Sequence, residues 1–349
     1  MKKTKQIKVR DLPIGGGARI SIQSMTNTDT RNATATLSQI QTLAEAGCDL
    51  VRCAVPDLQA AEALKEICAK SPIPVVADIH FDYRLALAAI ASGADKIRLN
   101  PGNIGDDERV REVVKAAKAR SIPIRIGVNS GSVEKTILEK FGAPTPEALV
   151  ESAFYHVKLL QDNDFDDICL SMKSSSVADT MRAYLLASEQ ADYPLHLGVT
   201  EAGTEYMGAI KSAAGIGGLL ALGVGDTIRV SLTAEPVKEI YAAQAILKAV
   251  DLSEEGINII SCPTCGRTQI DLIPIVQEIE RRCAAIRGKK LTIAVMGCVV
   301  NGPGEAREAD FGIAGGKNEG LLFRKGEIIR KVPQNQLVQA LMDEIIQAP

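Results

Sequence analysis

Tryptophan is absent from this chain of 349 residues, and aromatic residues make up only 3% of it. That leaves too few flat side chains for base-stacking platforms. Positive charge is not in surplus either: the formal net charge is −3, which argues against nucleic acid or an anionic membrane as the main partner, since both are held by concentrated cations. Long hydrophobic runs are missing, and the most apolar stretch, 215–224, is short and glycine-rich, well under the length that crosses a bilayer. The basic start, MKKTKQIKVRDLPIGGG, is not followed by the apolar stretch of a secretory signal, so the chain is expected to be cytoplasmic. Eight cysteines are spread over this length without an export signal and are therefore expected to be reduced, serving as core residues or as ligands. No histidine follows His196, which matters for any metal site in the last third.

What is present points to two domains. With 46% hydrophobic residues, 24% charged and a mean hydropathy of +0.06, the chain has the composition of an ordinary globular protein with a large core. Short β-branched runs recur at 20–24, 50–53, 75–79, 96–99, 124–128, 168–172, 195–199 and 227–232. Segments of helical periodicity alternate with them at 34–46, 58–70, 84–91, 107–120, 146–163, 178–190, 208–222 and 237–250. Eight strand-helix repeats predict a parallel sheet closed into a (β/α)8 TIM-type barrel over 1–250. An internal repeat, AGCDLVR (46–52), SGADKIR (92–98) and LGVGDTIR (222–229), ends a helix at Gly, passes an Asp and enters a strand that finishes in Arg. The Gly is ordinary helix-cap chemistry; the Arg is not, because burying it requires something anionic to meet it. After a linker at 251–256 the pattern becomes strand, helix (269–286), strand (291–296), short strands with a hairpin at 325–326, and a last helix (336–346), an α+β domain over 257–349.

The most specific motif lies in that second domain: Cys262-Pro-Thr-Cys265-Gly, then Met-Gly-Cys298-Val-Val-Asn-Gly-Pro-Gly-Glu305. A C-x2-C turn brings two thiolates to one metal centre, and both segments follow predicted strands, so they lie side by side. Three cysteines leave one position open, and Glu305 is the nearest ligand-capable residue. Structural zinc normally takes four Cys or His ligands, which the absence of a late histidine disfavours. The radical-generating S-adenosylmethionine spacing C-x3-C-x2-C is also absent. An iron-sulfur cluster with one labile or carboxylate position fits best. Cys48, Cys53, Cys68, Cys169 and Cys283 read as core positions.

Barrel enzymes place their sites where strands end, and here those ends read VRC, ADIHF, IRLNPGN, RIGVNSGS, SMKSS, GVTEAG and IRVSLT. Alternation puts Arg98 with Asn100, Arg125 with Asn129, Arg229 with Ser231, and Asp78 with His80 on common faces. With Arg52 and Lys173, five cations converge on one mouth in a chain that is acidic overall. A diphosphate is the simplest neutraliser, and arginine matches phosphate oxygens bidentately. Glu201, on the seventh strand end, is a candidate proton donor or a partner for the arginines.

These segments, together with IQSMTNTDT, VRCAVPD, ADIHFDYRLA, KIRLNPGNIG, CPTCGRT and NGPGEAREAD, resemble the 4-hydroxy-3-methylbut-2-enyl diphosphate synthase family of the methylerythritol phosphate route to isoprenoids, in its short bacterial form. The resemblance runs nearly end to end. It implies a 4Fe-4S cluster on Cys262, Cys265, Cys298 and Glu305. It also implies the substrate 2-C-methyl-D-erythritol 2,4-cyclodiphosphate, gripped by Arg52, Arg98, Arg125, Lys173 and Arg229 with Asn100, Asn129 and Ser231, with Asp78 and His80 as hydrogen-bonding neighbours and Glu201 as proton donor. The implied reaction is a two-electron reductive ring opening with loss of a hydroxyl, fed by flavodoxin or ferredoxin. The last barrel helix runs back from the mouth, so a homodimer is expected in which one chain's cluster completes the partner's barrel. The alternatives are a non-redox, pterin-transferase-like phosphate-binding barrel with a structural zinc domain, or an electron-transfer protein whose barrel is only structural.

Overall fold

The computed structural model describes residues 1–254, 256–286, 288–299 and 306–348. The chain divides into two compact units, Met1–Leu252 and Ser253–Pro349. The first opens with a small antiparallel hairpin, β1 (Ile7–Val9) and β2 (Leu12–Ile14). There follow β3 (Ser21–Met25), α1 (Ala33–Glu45), β4 (Leu50–Ala54), α2 (Leu58–Lys70), β5 (Val75–Asp78), α3 (Tyr83–Ala91), β6 (Lys96–Arg98) and α4 (Asp107–Ala119). The second half holds β7 (Ile124–Asn129), α5 (Lys135–Phe141), α6 (Pro146–Gln161), β8 (Ile168–Lys173), α7 (Val177–Gln190), β9 (His196–Leu197), α8 (Glu205–Ser212), α9 (Gly218–Ala221), β10 (Thr227–Ile228) and α10 (Pro236–Ala249). The eight strands β3 to β10 form one parallel sheet in the order β8-β7-β6-β5-β4-β3-β10-β9, and a parallel bridge Leu170↔Leu195 joins its two ends. The (β/α)8 barrel expected from the alternating pattern is therefore what forms.

Local chemistry starts the helices as the sequence dictates. Asp57, Thr145 and Ser176 accept backbone N–H groups of the first turns of α2, α6 and α7, and Pro146 and Pro236 occupy first turns where no intrahelical donor is needed. Outward strand residues such as Ile22, Val51, Ile97, Ile126 and Leu170 join Ile40, Leu43, Leu64 and Leu149 of the helices in one apolar layer. The repeated Asp gains a specific role. Asp49 accepts the N–H of Ile22 at 2.7 Å, and Asp95 and Asp226 accept those of Val75 and Leu195 at 2.8 Å each. Each therefore ties the entry of its own strand to the entry of the strand beside it. Gly47 and Gly93, both at φ +99°, turn the chain between helix and strand in the region that suits glycine.

Three features depart from the pattern read in the sequence. The hairpin β1–β2 was not anticipated; its Ile7, Val9 and Ile14 pack on Leu50, Val76 and Cys169 and close the barrel floor. Three-residue strands carry too little periodicity to be recognised. Helix α5 is an insertion after β7. The helix expected over 208–222 starts at Glu205 and passes through a π-helical turn, Ala213–Gly217. There Gly215 lies so close to the sheet that a Cβ would stand 2.8 Å from Val199 Cγ2.

The second unit contains β11 (Gly256–Ser261), α11 (Leu272–Cys283), β12 (Lys290–Met296), β13 (Phe311–Gly315), β14 (Glu319–Arg324), β15 (Glu327–Pro333) and α12 (Leu337–Gln347). Its sheet runs β11-β12-β13-β14-β15, with the first three strands parallel and the last two antiparallel. Leu272, Ile279 and Cys283 of α11 and Leu337, Leu341 and Ile345 of α12 pack with Ile293, Val295, Ile313 and Leu322 of the sheet. The strand-entry Asp recurs: Asp310, ahead of β13, accepts the N–H of Thr292 on β12 at 2.8 Å. Among the described residues no helix is long and apolar enough to cross a membrane.

Candidate active site

A TIM barrel normally fills its interior with layers of branched apolar side chains; this one does not. With Leu50, Val76 and Cys169 on the floor, strand alternation turns Arg52, Asp78, Arg98, Arg125 and Lys173 toward the same interior. Arg98, Arg125 and Lys173 are buried, and the Arg52 and Arg229 side chains retain only 12% and 17% exposure. One carboxylate, Asp78, sits among them, with Oδ1 3.3 Å from Arg98 Nη1, and Oδ2 3.6 Å from Arg52 Nε and 3.6 Å from His80 Nε2. Burial pushes the Asp78 carboxyl up, but Arg52, the His80 hydrogen bond and Arg98 outweigh it and hold it far below the usual carboxylate range. Asp78 is therefore an anion at any working pH.

Two carboxylates, Asp78 and, on Arg229, Glu239 of α10, do not balance five cations. Burial, with Arg52 and Arg98 as neighbours, lowers the Arg125 guanidinium to about 9. Burial, then Arg125, Arg229, Arg52 and Arg98, drive the Lys173 ammonium well below its ordinary value. Among the described residues, Arg98 Nε, Arg125 Nε and Nη2, and Arg229 Nε are buried without a hydrogen-bond partner. Buried donors of this kind are normally satisfied, so the mouth has the charge and the spare N–H groups to take a multiply anionic ligand.

The backbone is shaped around these side chains. Arg98 Nη2 donates to Gly127 O at 2.6 Å, and Asn100 Oδ1 accepts Gly127 N–H at 2.9 Å. A Cβ at Gly127 would lie 2.5 Å from Arg98 Nε, and one at Gly198 would lie 2.8 Å from Lys173 Nζ. Asn129 and Ser231 are half-buried at the ends of β7 and beyond β10, while His80 and Glu201 are exposed. Glu201 is held at φ +51°, a left-handed conformation that is strained for a residue with a Cβ and recurs at functional sites.

Sequence reasoning missed several participants. Lys96, two residues before Arg98 on the same strand face, and His196 are completely buried in the interior; the alternation used for Arg98 would have found Lys96. Cys169, read as a core cysteine, lies beside Lys96 on the barrel floor. Glu239 of α10 bonds the Arg229 guanidinium, and its only sequence signal was an acid on the buried face of an otherwise apolar helix.

In the second unit, β11 and β12 run in parallel register up to Ser261↔Val295, so Cys262 and Cys298 emerge from the same end of adjacent strands. Gly297 N–H donates to Cys262 Sγ at 3.1 Å. The turn is held by Thr268 N–H to Cys265 O at 3.0 Å, by Cys265 N–H to Thr268 Oγ1 at 3.2 Å, and by Gln269 N–H to Gly297 O at 2.8 Å. Cys265 is exposed, and hydrogen bonds from the Arg267 backbone and side chain lower its thiol toward the thiolate. Cys298 is buried. Glu305 lies outside the described residues. Among the described residues no three His, Cys, Asp or Glu side chains are grouped to hold a metal ion. The chemistry of this corner nevertheless fits an iron-sulfur cluster: soft thiols sharing a strand end, one receiving an N–H···S bond and one already biased to the charged form.

The fold and site define the class: a (β/α)8 barrel protein with a cation-lined mouth and a second, α+β unit that bears a C-x2-C turn. Residues 4–244 match the GcpE TIM-barrel domain, and residues 258–347 match the GcpE protein C-terminal domain. The chain belongs to the GcpE family. A relative from Clostridium perfringens is 62% identical over 98% of this chain and 97% of its own length, and one from Geobacter sulfurreducens is 60% identical over 98% and 97%. Both are named 4-hydroxy-3-methylbut-2-en-1-yl diphosphate synthase (flavodoxin). Among solved structures, Yersinia pestis dihydropteroate synthase superposes with a TM-score of 0.51 at 15% identity, covering 71% of this chain and 99% of that one. At that identity the likeness is of the barrel fold alone. Family membership, carried by both units, favours the diphosphate synthase over the pterin-type alternative.

Proposed function

We propose that this chain makes the 4-hydroxy-3-methylbut-2-enyl diphosphate its relatives are named for, from 2-C-methyl-D-erythritol 2,4-cyclodiphosphate, by two-electron reductive ring opening and loss of a hydroxyl. The observation that carries this reading is the set of buried, unpartnered guanidinium donors in the barrel mouth. Arg98, Arg125 and Arg229, with Arg52 and Lys173, bind the two phosphates, and the anionic Asp78 keeps Arg52 and Arg98 apart and oriented. Asn100 fixes the β7 backbone at Gly127, and Asn129 and Ser231 add neutral hydrogen bonds at the rim. His80, 3.4 Å from Arg98 Nη1, lends a further hydrogen bond beside the substrate. Glu201, in its strained turn at the seventh strand end, is positioned to hold and deliver a proton.

Cys262, Cys265, Cys298 and Glu305 would hold a 4Fe-4S cluster, which supplies electrons and a Lewis-acidic iron when bound. The reductant, following the relatives' names, is flavodoxin, with ferredoxin as the other one-electron carrier of matching role. A cytoplasmic setting, where thiols stay reduced, suits this chemistry. We further propose a homodimer with shared sites, because α10 carries the chain away from the mouth face.

Iron and sulfide analysis of anaerobically purified protein tests the cluster. Cys262→Ser, Cys265→Ser and Cys298→Ser should each lose it, Glu305→Ala should leave it labile, and Cys283→Ser, altering a buried core residue, should retain it. A colourless, zinc-containing protein overturns the reading. Mixing Arg125→Ala chains with Cys298→Ser chains should restore part of the activity; no recovery in proven mixed dimers would show that each chain builds its own site.

A further inference from the structure

Glu239 is an acid where an apolar residue would be expected: it faces the core from the first turn of α10 and is buried. Its carboxylate makes three bonds to three different parts of the barrel rim. Oε1 accepts from Arg229 Nη2 at 3.3 Å and from the Leu232 backbone N–H at 3.1 Å, and Oε2 accepts from the Ser24 hydroxyl at 3.1 Å. Ser24 belongs to β3, and Arg229 and Leu232 flank Ser231 in the segment that leaves β10, so one side chain joins the two neighbouring strands and the loop between them and α10. The contact to Arg229 uses Nη2 only, and Arg229 Nε is left buried and unpartnered.

We infer that Glu239 is a positioning residue for substrate binding: it fixes the Arg229 guanidinium by one nitrogen, so that the remaining donors face a phosphate, and it sets the backbone that presents Ser231. This rests on the proposed diphosphate reading of the mouth. A carboxylate among cations can also act by diluting their charge, and the two roles predict opposite signs. As a counter-charge alone, Glu239 opposes anion binding, so its loss would tighten the grip on phosphate. As a brace, its loss leaves Arg229 free to rotate, and binding weakens.

The test uses the cluster-loaded enzyme with the cyclodiphosphate as probe. Glu239→Gln keeps the shape but replaces one acceptor by an NH2 group facing other donors. Glu239→Asp keeps the charge but draws it back by one methylene. Both should raise Kd and KM about ten-fold, the size of one charge-assisted phosphate contact, with kcat within about two-fold and iron content unchanged. In Arg229→Met protein the further change Glu239→Gln should have a clearly smaller effect than in wild type, because one of the two groups it positions is gone and only the Ser231 backbone remains; a purely structural role would add its full effect. Tighter or unchanged binding by both Glu239 variants, or full additivity with Arg229→Met, overturns the inference. Failure of the wild type to bind the cyclodiphosphate would instead overturn the reading on which it rests.

Discussion

His196 should make this protein lose stability as the pH falls from 7.5 to 5.5. Its ring is completely buried, and neither nitrogen has a hydrogen-bond partner among the described residues. Burial, followed by Arg125, Lys173, Lys96 and Arg52, holds its pKa well below the ordinary value. In the unfolded chain the same imidazole takes a proton near pH 6.5. Below that pH the unfolded state therefore binds a proton that the folded state refuses. Stability is fully present above about 6.5 and declines as pH falls, by about 1.4 kcal/mol at pH 5.5. For a unit of this size the loss corresponds to a fall of about 3 to 5 °C in Tm. Asp78 works in a separate window: its lowered pKa withdraws stability only as pH drops through the ordinary carboxylate range near 4 and below. Thermal unfolding of ligand-free wild type and His196→Gln across pH 5.5 to 8 isolates the imidazole, because the difference between the two profiles cancels every other group. The variant's profile should be flatter by about the stated amount, whatever its baseline stability. Parallel profiles would refute the reasoning and mean that His196 accepts a proton in the folded state.

Arg98→Ala and Arg125→Ala should each weaken binding of the cyclodiphosphate by roughly ten-fold or more, from a charge-assisted contact of about 1.5 to 3 kcal/mol, while iron content is kept; calorimetry showing unaltered binding for both would remove the diphosphate from the mouth. Gly127→Ala places a methyl 2.5 Å from Arg98 Nε, so it should lower substrate affinity about as much as Arg98→Ala does, and unchanged affinity would mean that Arg98 is not held where the phosphate binds. Lys96 is fully buried, and among the described residues its ammonium has no hydrogen-bond partner; the Cys169 thiol and the Arg125 guanidinium are neighbours, and neither is an anionic partner. Lys96→Met should therefore raise Tm by a few degrees, from a gain of about 1 to 3 kcal/mol; a clear fall measured by calorimetry would reveal an anionic partner for Lys96 in the folded protein.

The sequence by itself determined the parts of this protein that are written in local periodicity and spacing. Eight β-branched runs alternating with amphipathic segments allow little but a closed parallel barrel. Side-chain alternation along a strand placed Arg98 with Asn100 and Arg229 with Ser231 without any knowledge of what lies across the lumen. The C-x2-C turn was equally legible, because two thiols three residues apart after a strand have few other uses. Contacts between residues far apart in the chain were decided only by the tertiary structure. The hairpin that floors the barrel is two strands of three residues, too short for a period to register, and it is apolar because of Leu50, Val76 and Cys169 beneath it. Glu239 and Ser24 are 215 positions apart, and no local pattern announces that an acid on α10 will meet the arginine that follows β10 and a serine from β3. Lys96 and His196 look like surface residues one at a time; they are interior because closure of the sheet turns one face of every strand inward. Local propensity is a property of neighbours in sequence, whereas burial and the balance of charge in the mouth are properties of the closed ring.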